Sequence, residues 1–324
     1  MMNKKEFLHL KSGTDVRGTA VETAEHGVQL TDETVQKICV GFYKWYCRKE
    51  QVDTFGIAVG QDCRISSPRI AAAAMAAFCA CGCRVFDCGL ATTPSMFMSI
   101  VENEPVQTAL EITASHHPFD RNGLKFFTSG GGLEGEDVSA ILKLAYVAEV
   151  PAGTDNAPVV LPFMNDYAAL LRRQIVDGVQ NGDNPLEGLH IVVDAGNGVG
   201  GFYADQVLAP LGADVSGSQF LEPDGMFPNH IPNPENKGAI DAASKMVLDS
   251  SADLGLIFDT DVDRMGCIGA TGQEINRNTL VALAAAIVLE DHPGTTVVTD
   301  SLTSDGLSRT WGASSCAIVA AIRM

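Results

Sequence analysis

The sequence predicts an α/β protein made of tandem α/β domains whose sheets are mixed and mainly parallel. One observation is a recurring unit of apolar strand, polar loop, helix and returning strand, in which β-branched runs alternate with helical stretches. A second is the wide spacing between the copies, which is typical of repeated domains and not of a solenoid. The third is the length of 324 residues, because single cores rarely grow beyond about 250–300 residues.

Three copies of this unit can be followed along the chain. The first has strands at 55–60 and 84–87 around a helix at 68–81; the second has a strand at 189–194, a loop at 195–201, a helix at 202–211 and a returning strand at 212–215; the third begins with a strand at 296–300 and a helix at 306–311. Glycine- and proline-containing linkers separate them. We expect domain I at 1–155, domain II at 156–266, an incomplete domain III at 267–324, and no domain IV.

Composition narrows the function classes. A net charge of −18 argues against nonspecific binding to nucleic acid or to an anionic membrane, both of which require a basic surface. The amino-terminal segment lacks an apolar signal region, and the longest apolar stretch, 70–83, is too short to span a bilayer. We therefore expect a cytoplasmic protein with reduced cysteines. The cysteines at 79–83 lack the usual spacing of a zinc site, so buried packing residues are the favoured interpretation and zinc the alternative.

Three alternating carboxylates follow a strand that is typical of a buried sheet. The apolar run 254–258 precedes Asp259, Asp261 and Asp263, and Arg264 comes directly after them. Ligands bind at the carboxyl ends of strands in open α/β sheets, and carboxylates at i, i+2 and i+4 suit a hard cation such as Mg²⁺. A calcium EF-hand does not fit, because its required glycine and glutamate are absent. A solvated acidic turn and an aspartyl phosphatase that uses Asp259 as its nucleophile are the alternatives.

A serine lies in a second loop of chemical interest. Ser115 follows the apolar segment 109–112 and stands beside His116 and His117, where a proline interrupts the chain. A hydroxyl there can act as a nucleophile and carry a phosphoryl group, and His116 can donate to a phosphate oxygen. The following strand would present Lys125 to the same pocket.

These loops resemble those of the α-D-phosphohexomutase superfamily, in its phosphomannomutase/phosphoglucomutase branch. Residues 113–118 resemble the phosphoserine loop Thr-Ala-Ser-His-Asn-Pro, with His117 in place of asparagine, and residues 259–264 resemble Asp-Gly-Asp-Gly-Asp-Arg. Further similar segments lie at 13–18, 59–67, 122–125, 194–198 and 227–235. Tandem phosphohexomutase-type α/β domains are therefore expected, and the similarity extends over nearly the whole chain.

The resemblance implies an isomerase of carbohydrate metabolism that interconverts the 1-phosphates and 6-phosphates of mannose or glucose. Phosphorylated Ser115 would give its phosphoryl group to the sugar and form a bisphosphorylated intermediate. The remaining implied site residues fall into three groups. Lys125 would act as general base, with His116 and Arg17 as further catalytic residues; Ser115, Asp259, Asp261 and Asp263 would hold Mg²⁺; and Arg64, His117, Asn122 and Arg264 would bind phosphate or substrate.

The expected departure from the family lies at the carboxyl end. The family's sugar-selecting Gly-Glu-x-Ser-Gly-His loop and its fourth-domain phosphate clamp are absent before Met324. We therefore expect a truncated chain with impaired turnover. The alternative function is a non-catalytic remnant that binds phosphosugar and Mg²⁺, and the phosphatase remains a third.

Overall fold

A computed structural model of the chain describes residues 2–153, 156–298 and 318–319. The helices are α1 (Lys4–Leu8), α2 (Asp32–Glu50), α3 (Ser67–Ala80), α4 (Thr93–Glu102), α5 (Gly135–Tyr146), α6 (Phe163–Val179), α7 (Lys237–Ser250) and α8 (Arg277–Asp291). The strands are β1 (Lys11–Ser12), β2 (Asp15–Thr19), β3 (Gly56–Gln61), β4 (Arg84–Leu90), β5 (Thr108–Ile112), β6 (Arg121–Thr128), β7 (Gly131–Gly132), β8 (Val159–Val160), β9 (Ile191–Asp194), β10 (Leu254–Phe258), β11 (Met265–Gly269), β12 (Val297–Val298) and β13 (Ile318–Val319). Among the described helices, none is both long enough and apolar enough to cross a bilayer.

The first sheet is mixed, as the sequence predicts. Its strand order is β1-β2-β6-β5-β3-β4-β8, with β7 paired to β6. The central strand β3 runs parallel to both β4 and β5, whereas β6 is antiparallel to β5 and to β2. Parallel pairing at the centre brings the carboxyl ends of β3 and β5 to one edge, where the loops at 61–67 and 113–118 emerge together.

Helices cover both faces of this sheet and give an α/β/α sandwich. The larger core lies under α2, α3 and α5, and in it the ring of Phe42 stacks on that of Phe126 with centroids 4.3 Å apart. A smaller core lies on the other face under α4 and α6, around Met96 and Phe163. Cys79, Cys83 and Cys88 are buried in these cores, in agreement with their interpretation as packing residues.

The second sheet has three strands in the order β11-β10-β9. Parallel pairing of β9 with β10 and antiparallel pairing of β10 with β11 make this sheet mixed as well. One face packs against α7, through Ala243 and Val247. Since β10 ends at Phe258, the aspartate loop begins at the carboxyl edge of this sheet, as predicted.

The helix predicted at 202–211 is wrong as a regular α-helix. This segment forms a π-helix at Tyr203–Leu208 between two 3-10 turns, Val199–Gly201 and Ala209–Leu211. Pro210 has no N–H to donate, and its ring clashes with the carbonyl four residues earlier, which favours a widened turn over a regular one. The returning strand predicted at 212–215 is reduced to a single bridge between His190 and Asp214.

The third unit is described only in part. Helix α8 is followed by β12, which pairs in parallel with β13, and the helix predicted at 306–311 lies outside the described residues. The boundaries expected near residues 155 and 266 stay predictions. β8, which follows the first of them, pairs with β4 of the first sheet, and β11 crosses the second.

Candidate active site

Ser115 is presented by a tight loop at the end of β5. Its backbone has a positive φ of 52°, a conformation that is uncommon for a residue other than glycine and is frequently found at functional sites. The Ser115 N–H donates to Oγ1 of Thr113 over 2.9 Å. The residue is only 4% exposed, so the loop holds the hydroxyl in one position facing the second domain.

Arg64 holds this loop from below. The residue is fully buried, and each of its five N–H groups has an acceptor. Nε donates to the Asp62 carboxylate, and the two terminal nitrogens donate to the backbone carbonyls of Ser115, His117, Pro118 and Arg121. The expectation that Arg64 binds phosphate is therefore wrong for this structure, because no donor of the guanidinium remains for a ligand.

Asn122 is likewise a structural residue and not a ligand for substrate. Its side chain is fully buried. Nδ2 donates to the hydroxyls of Ser66 and Ser67, both over 2.9 Å, and Oδ1 accepts from the Gly123 N–H. Asn122 thus ties the start of β6 to the start of α3, and its predicted role in binding substrate is corrected.

The aspartate loop of the second domain faces Ser115 directly. The Ser115 hydroxyl donates to Oδ2 of Asp259 over 3.1 Å. Arg264 Nη2 donates to the Ser115 Oγ over 2.6 Å and to Oδ2 of Asp259 over 2.7 Å. The two motifs that stand out in the sequence, 144 residues apart, therefore meet in one site, with a cation donor on the presumptive nucleophile.

Asp261 and Asp263 complete a cluster of three carboxylates. One ligand oxygen from each aspartate lies within 4.8 Å of the other two, a separation that a divalent cation can bridge. Oδ2 of Asp261 accepts from the Thr93 hydroxyl over 2.6 Å, but its buried Oδ1 has no hydrogen-bond partner. Because a buried oxygen without a partner is costly, this atom fits the role of a metal ligand.

The charge balance of the cluster also favours a cation. Burial, together with the charges of Asp261 and Asp263, raises the pKa of Asp259 from 3.8 to about 8. Burial alone would raise the pKa of Asp263 too, but Lys125 and Arg264 lower it below its ordinary value. A bound cation would relieve the repulsion that Asp259 experiences.

Lys125 reaches the same cluster from β6. Its Nζ lies 2.6 Å from Oδ2 of Asp263 and 3.8 Å from Oδ2 of Asp261. A general base at this position would need a pKa depressed by nearby cations. Burial does act in that direction, but the two aspartates outweigh it and raise the pKa of Lys125 above its ordinary value. The expected depression is wrong because carboxylates, and not cations, face the ammonium group.

The two histidines and Arg17 lie on the open side of the loop. Burial and the charges of Arg264 and Arg17 lower the pKa of His116, whose Nδ1 lies 2.7 Å from Arg264 Nη2 and thus serves as an acceptor. Burial and Arg17 lower the pKa of His117 to about 4. Arg17 is paired with Asp15 over 2.8 Å. The catalytic roles of His116 and Arg17, and phosphate binding by His117 and Arg264, stay predictions.

The sequence analysis missed two residues near the site. Thr93 begins α4 in the first domain and contacts Asp261 of the second, a pairing that only the three-dimensional arrangement reveals. Glu111 lies opposite Lys125 on β5, fully buried and with neither carboxylate oxygen hydrogen-bonded. Burial, with the charges of Asp62 and Asp261, raises its pKa well above the ordinary value. A lone glutamate inside the apolar run 109–112 was the available signal.

Two family models match the chain. The model for phosphoglucomutase/phosphomannomutase α/β/α domain I matches residues 10–148, and the model for α/β/α domain II matches residues 167–272. The chain belongs to the phosphoglucomutase/phosphomannomutase family. This membership confirms the predicted superfamily and its tandem α/β domains.

Curated relatives agree with this membership. The chain is 32% identical over 246 residues to a phosphomannomutase/phosphoglucomutase of Pseudomonas aeruginosa, covering 75% of this chain and 50% of the relative. It is 32% identical over 244 residues to a phosphoglucomutase of Neisseria gonorrhoeae, with 75% and 51% covered. A phosphomannomutase of Salmonella typhimurium is 32% identical over 251 residues, with 75% and 54% covered. The chain spans about half the length of these relatives.

Solved structures show the same fold. A phosphoglucomutase/phosphomannomutase family protein from Burkholderia thailandensis superimposes with a TM-score of 0.81 at 24% identity, covering 99% of this chain and 66% of that one. A phosphomannomutase from Thermus thermophilus gives a TM-score of 0.79 at 18% identity, with 96% and 68% covered.

Proposed function

We propose that this chain carries the phosphoryl-transfer half of a phosphohexomutase, with Ser115 as the residue that accepts and donates the phosphoryl group. The observation that carries the proposal is the position of the Ser115 hydroxyl, which lies 3.1 Å from Asp259 and 2.6 Å from Arg264. Family membership supports the same reaction class. The preferred substrates of the proposal are the 1-phosphates and 6-phosphates of glucose or mannose.

The transfer step exchanges one P–O bond for another. The bond between Ser115 Oγ and phosphorus breaks as a bond forms between phosphorus and a sugar hydroxyl oxygen, and that hydroxyl loses its proton. Arg264 donates to Oγ and would stabilise the negative charge that develops on this leaving oxygen. The donor is already within hydrogen-bonding distance, so no reorganisation is needed at that point.

Lys125 is the proposed proton carrier for the sugar hydroxyl. As an ammonium group it can donate a proton and balance phosphoryl charge, but it cannot accept a proton. Acceptance would first require its own proton to move to the Asp263 carboxylate, 2.6 Å away. The pair Lys125–Asp263, and not the lysine alone, is therefore proposed to act as the base.

Mg²⁺ is the cation proposed for the aspartate cluster. Asp259, Asp261 and Asp263 would hold it together with the Ser115 oxygen, because hard carboxylate and hydroxyl oxygens suit this ion. When bound, it would supply electrostatic stabilisation of the phosphoryl oxygens. The cytoplasmic location expected from the sequence stays a prediction.

A single-turnover experiment separates the proposal from its alternatives. The chain is labelled on Ser115 with radioactive phosphate from hexose 1,6-bisphosphate, purified, and mixed with glucose 1-phosphate or mannose 1-phosphate. A mutase half-reaction transfers the label to sugar bisphosphate. Release of labelled inorganic phosphate, equally fast with or without sugar, would instead indicate a phosphatase, and label retained on the protein would indicate a non-catalytic binding protein.

A matched serine variant controls this experiment. Ser99→Ala removes another buried serine hydroxyl, one that donates to the Met96 carbonyl inside α4 and lies outside the site. Ser99→Ala should label and transfer as the unaltered chain does, whereas Ser115→Ala should take up no label. Equal labelling of the unaltered chain and Ser115→Ala would refute Ser115 as the phosphoryl carrier.

A further inference from the structure

The Arg64 guanidinium is covered by the second domain. The Phe227 ring lies over it, with the Arg64 Cζ 5.2 Å from the ring centroid, a distance at which a cation and an aromatic face attract each other. Phe227 has a positive φ of 49°, so its backbone adopts an uncommon conformation to present the ring there. The group that holds the Ser115 loop in the first domain is thus in direct contact with the second domain.

Two further contacts bring the domains together at the same point. Gly225 lies so close to the first domain that a Cβ atom on it would come within 2.4 Å of the Cys63 carbonyl oxygen and 2.7 Å of the Arg64 Cα. The Cys63 thiol donates to the Asn197 carbonyl over 3.2 Å. Only a glycine permits this approach without displacing one domain from the other.

We propose that Arg64 is a positioning residue for Ser115, and that the second domain stabilises its position through Gly225 and Phe227. Arg64 contributes all of its donors to Asp62 and to four carbonyls of the loop at 115–121. Displacement of the second domain therefore loosens the loop that presents the nucleophile. The catalytic part of this inference rests on the proposed function, whereas its structural part, the coupling of loop order to domain contact, does not.

The coupling has a consequence for the reaction. The same second domain that supplies Asp259 and Arg264 also supplies Phe227, about which the Arg64 contacts are organised. Ser115 is consequently in its tight conformation when the carboxylates are in place, and is less ordered when they are not. Transfer of the phosphoryl group to water in the absence of the complete site is thereby disfavoured.

The structural part can be tested by amide hydrogen exchange in the loop at 115–121. Phe227→Leu keeps an apolar side chain but removes the ring face, and Gly225→Ala introduces the Cβ that the contact excludes. Loss of a desolvated cation–π contact should make exchange about tenfold faster in this loop. Phe220→Leu is the matched control, since Phe220 also has a positive φ, 52°, and packs on His230 instead of Arg64.

The catalytic part is tested by phosphate uptake at Ser115 from hexose 1,6-bisphosphate. Uptake should slow in Phe227→Leu and be restored in Phe227→Tyr, which keeps the ring, while the calorimetric affinity for Mg²⁺ stays unchanged. Native exchange rates in both Phe227→Leu and Gly225→Ala, or equal acceleration in Phe220→Leu, would overturn the coupling. If exchange responds as expected but the unaltered chain takes up no phosphate, the coupling stands and the proposed function fails.

Discussion

Replacing Asp259 with asparagine should change stability in opposite directions with and without Mg²⁺. The Asp259 carboxyl has a pKa of about 8 in the folded chain, above its ordinary value of 3.8. A raised pKa contributes stability that is fully present below about pH 4 and is lost as the pH rises through about 8. In a chelator, the unaltered chain should therefore become less stable across this range, and Asp259→Asn should remove that part of the pH dependence.

The magnitude follows from the position of the carboxyl in the site. At pH 7, the shifted pKa corresponds to about 4 kcal/mol of destabilisation, at about 1.36 kcal/mol per pKa unit. Asparagine removes this cost, but it presents an N–H₂ group to donors on Arg264, and an unsatisfied buried donor costs about 1–3 kcal/mol. A net stabilisation of about 1–3 kcal/mol remains, or about 2–4 °C in Tm per kcal/mol for a domain of 150–250 residues.

Thermal unfolding at pH 7, in chelator and in millimolar Mg²⁺, measures both effects. We expect the Tm of Asp259→Asn to exceed that of the unaltered chain in chelator, and Mg²⁺ to raise the Tm of the unaltered chain alone, because ligand binding stabilises only a folded state that binds it. The control is Asp249→Asn, an exposed aspartate of the same domain paired with Lys245. A lower Tm for Asp259→Asn in chelator, or an equal rise with Mg²⁺, would refute the reasoning.

Three further predictions concern the surroundings of the site. Lys125→Ala should slow phosphoryl transfer by about 10²–10⁴-fold, the usual contribution of a positioned acid or base, measured by single turnover; transfer at the native rate would exclude that role. Thr93→Val should cost about 1.5–3 kcal/mol in the free energy of unfolding, because the hydrogen bond to the Asp261 carboxylate is lost; unchanged urea denaturation would contradict this. Burial lowers the pKa of His230, but the Asp194 carboxylate outweighs burial and raises it overall. Stability from this pair is therefore fully present below about pH 6.5 and falls as the pH rises through the higher folded value, so His230→Gln should flatten that slope in Tm against pH.

Much of the fold could be predicted because its signals are local. The apolar run 254–258 ends where the carboxylates begin, so the sequence alone places Asp259 at the edge of a sheet. The alternating charges of the loop identify the cation ligands for the same reason. The segment 203–211 was mispredicted although its cause is also local, because Pro210 was not weighed against the apolar pattern around it.

The roles of individual side chains depended on contacts between distant segments. Arg64 resembles a phosphate ligand in sequence, yet its donors are taken by carbonyls more than fifty residues away. The pKa of Lys125 depends on which charges face it, and the facing groups come from another domain, 136 and 138 residues along the chain. Spacing in the sequence carries no information on such distances, whereas the folded chain does.

Phosphate on Ser115 is the central claim, and one measurement tests it most directly. The purified chain is incubated with glucose 1,6-bisphosphate, with Mg²⁺ or with chelator, digested, and its peptides are analysed by mass spectrometry. The account predicts one phosphate on the peptide that contains Ser115, formed with Mg²⁺ and lost in Asp259→Asn. Phosphate found on Asp259 or only on other residues, or equal phosphorylation of Ser115 in chelator, would contradict it.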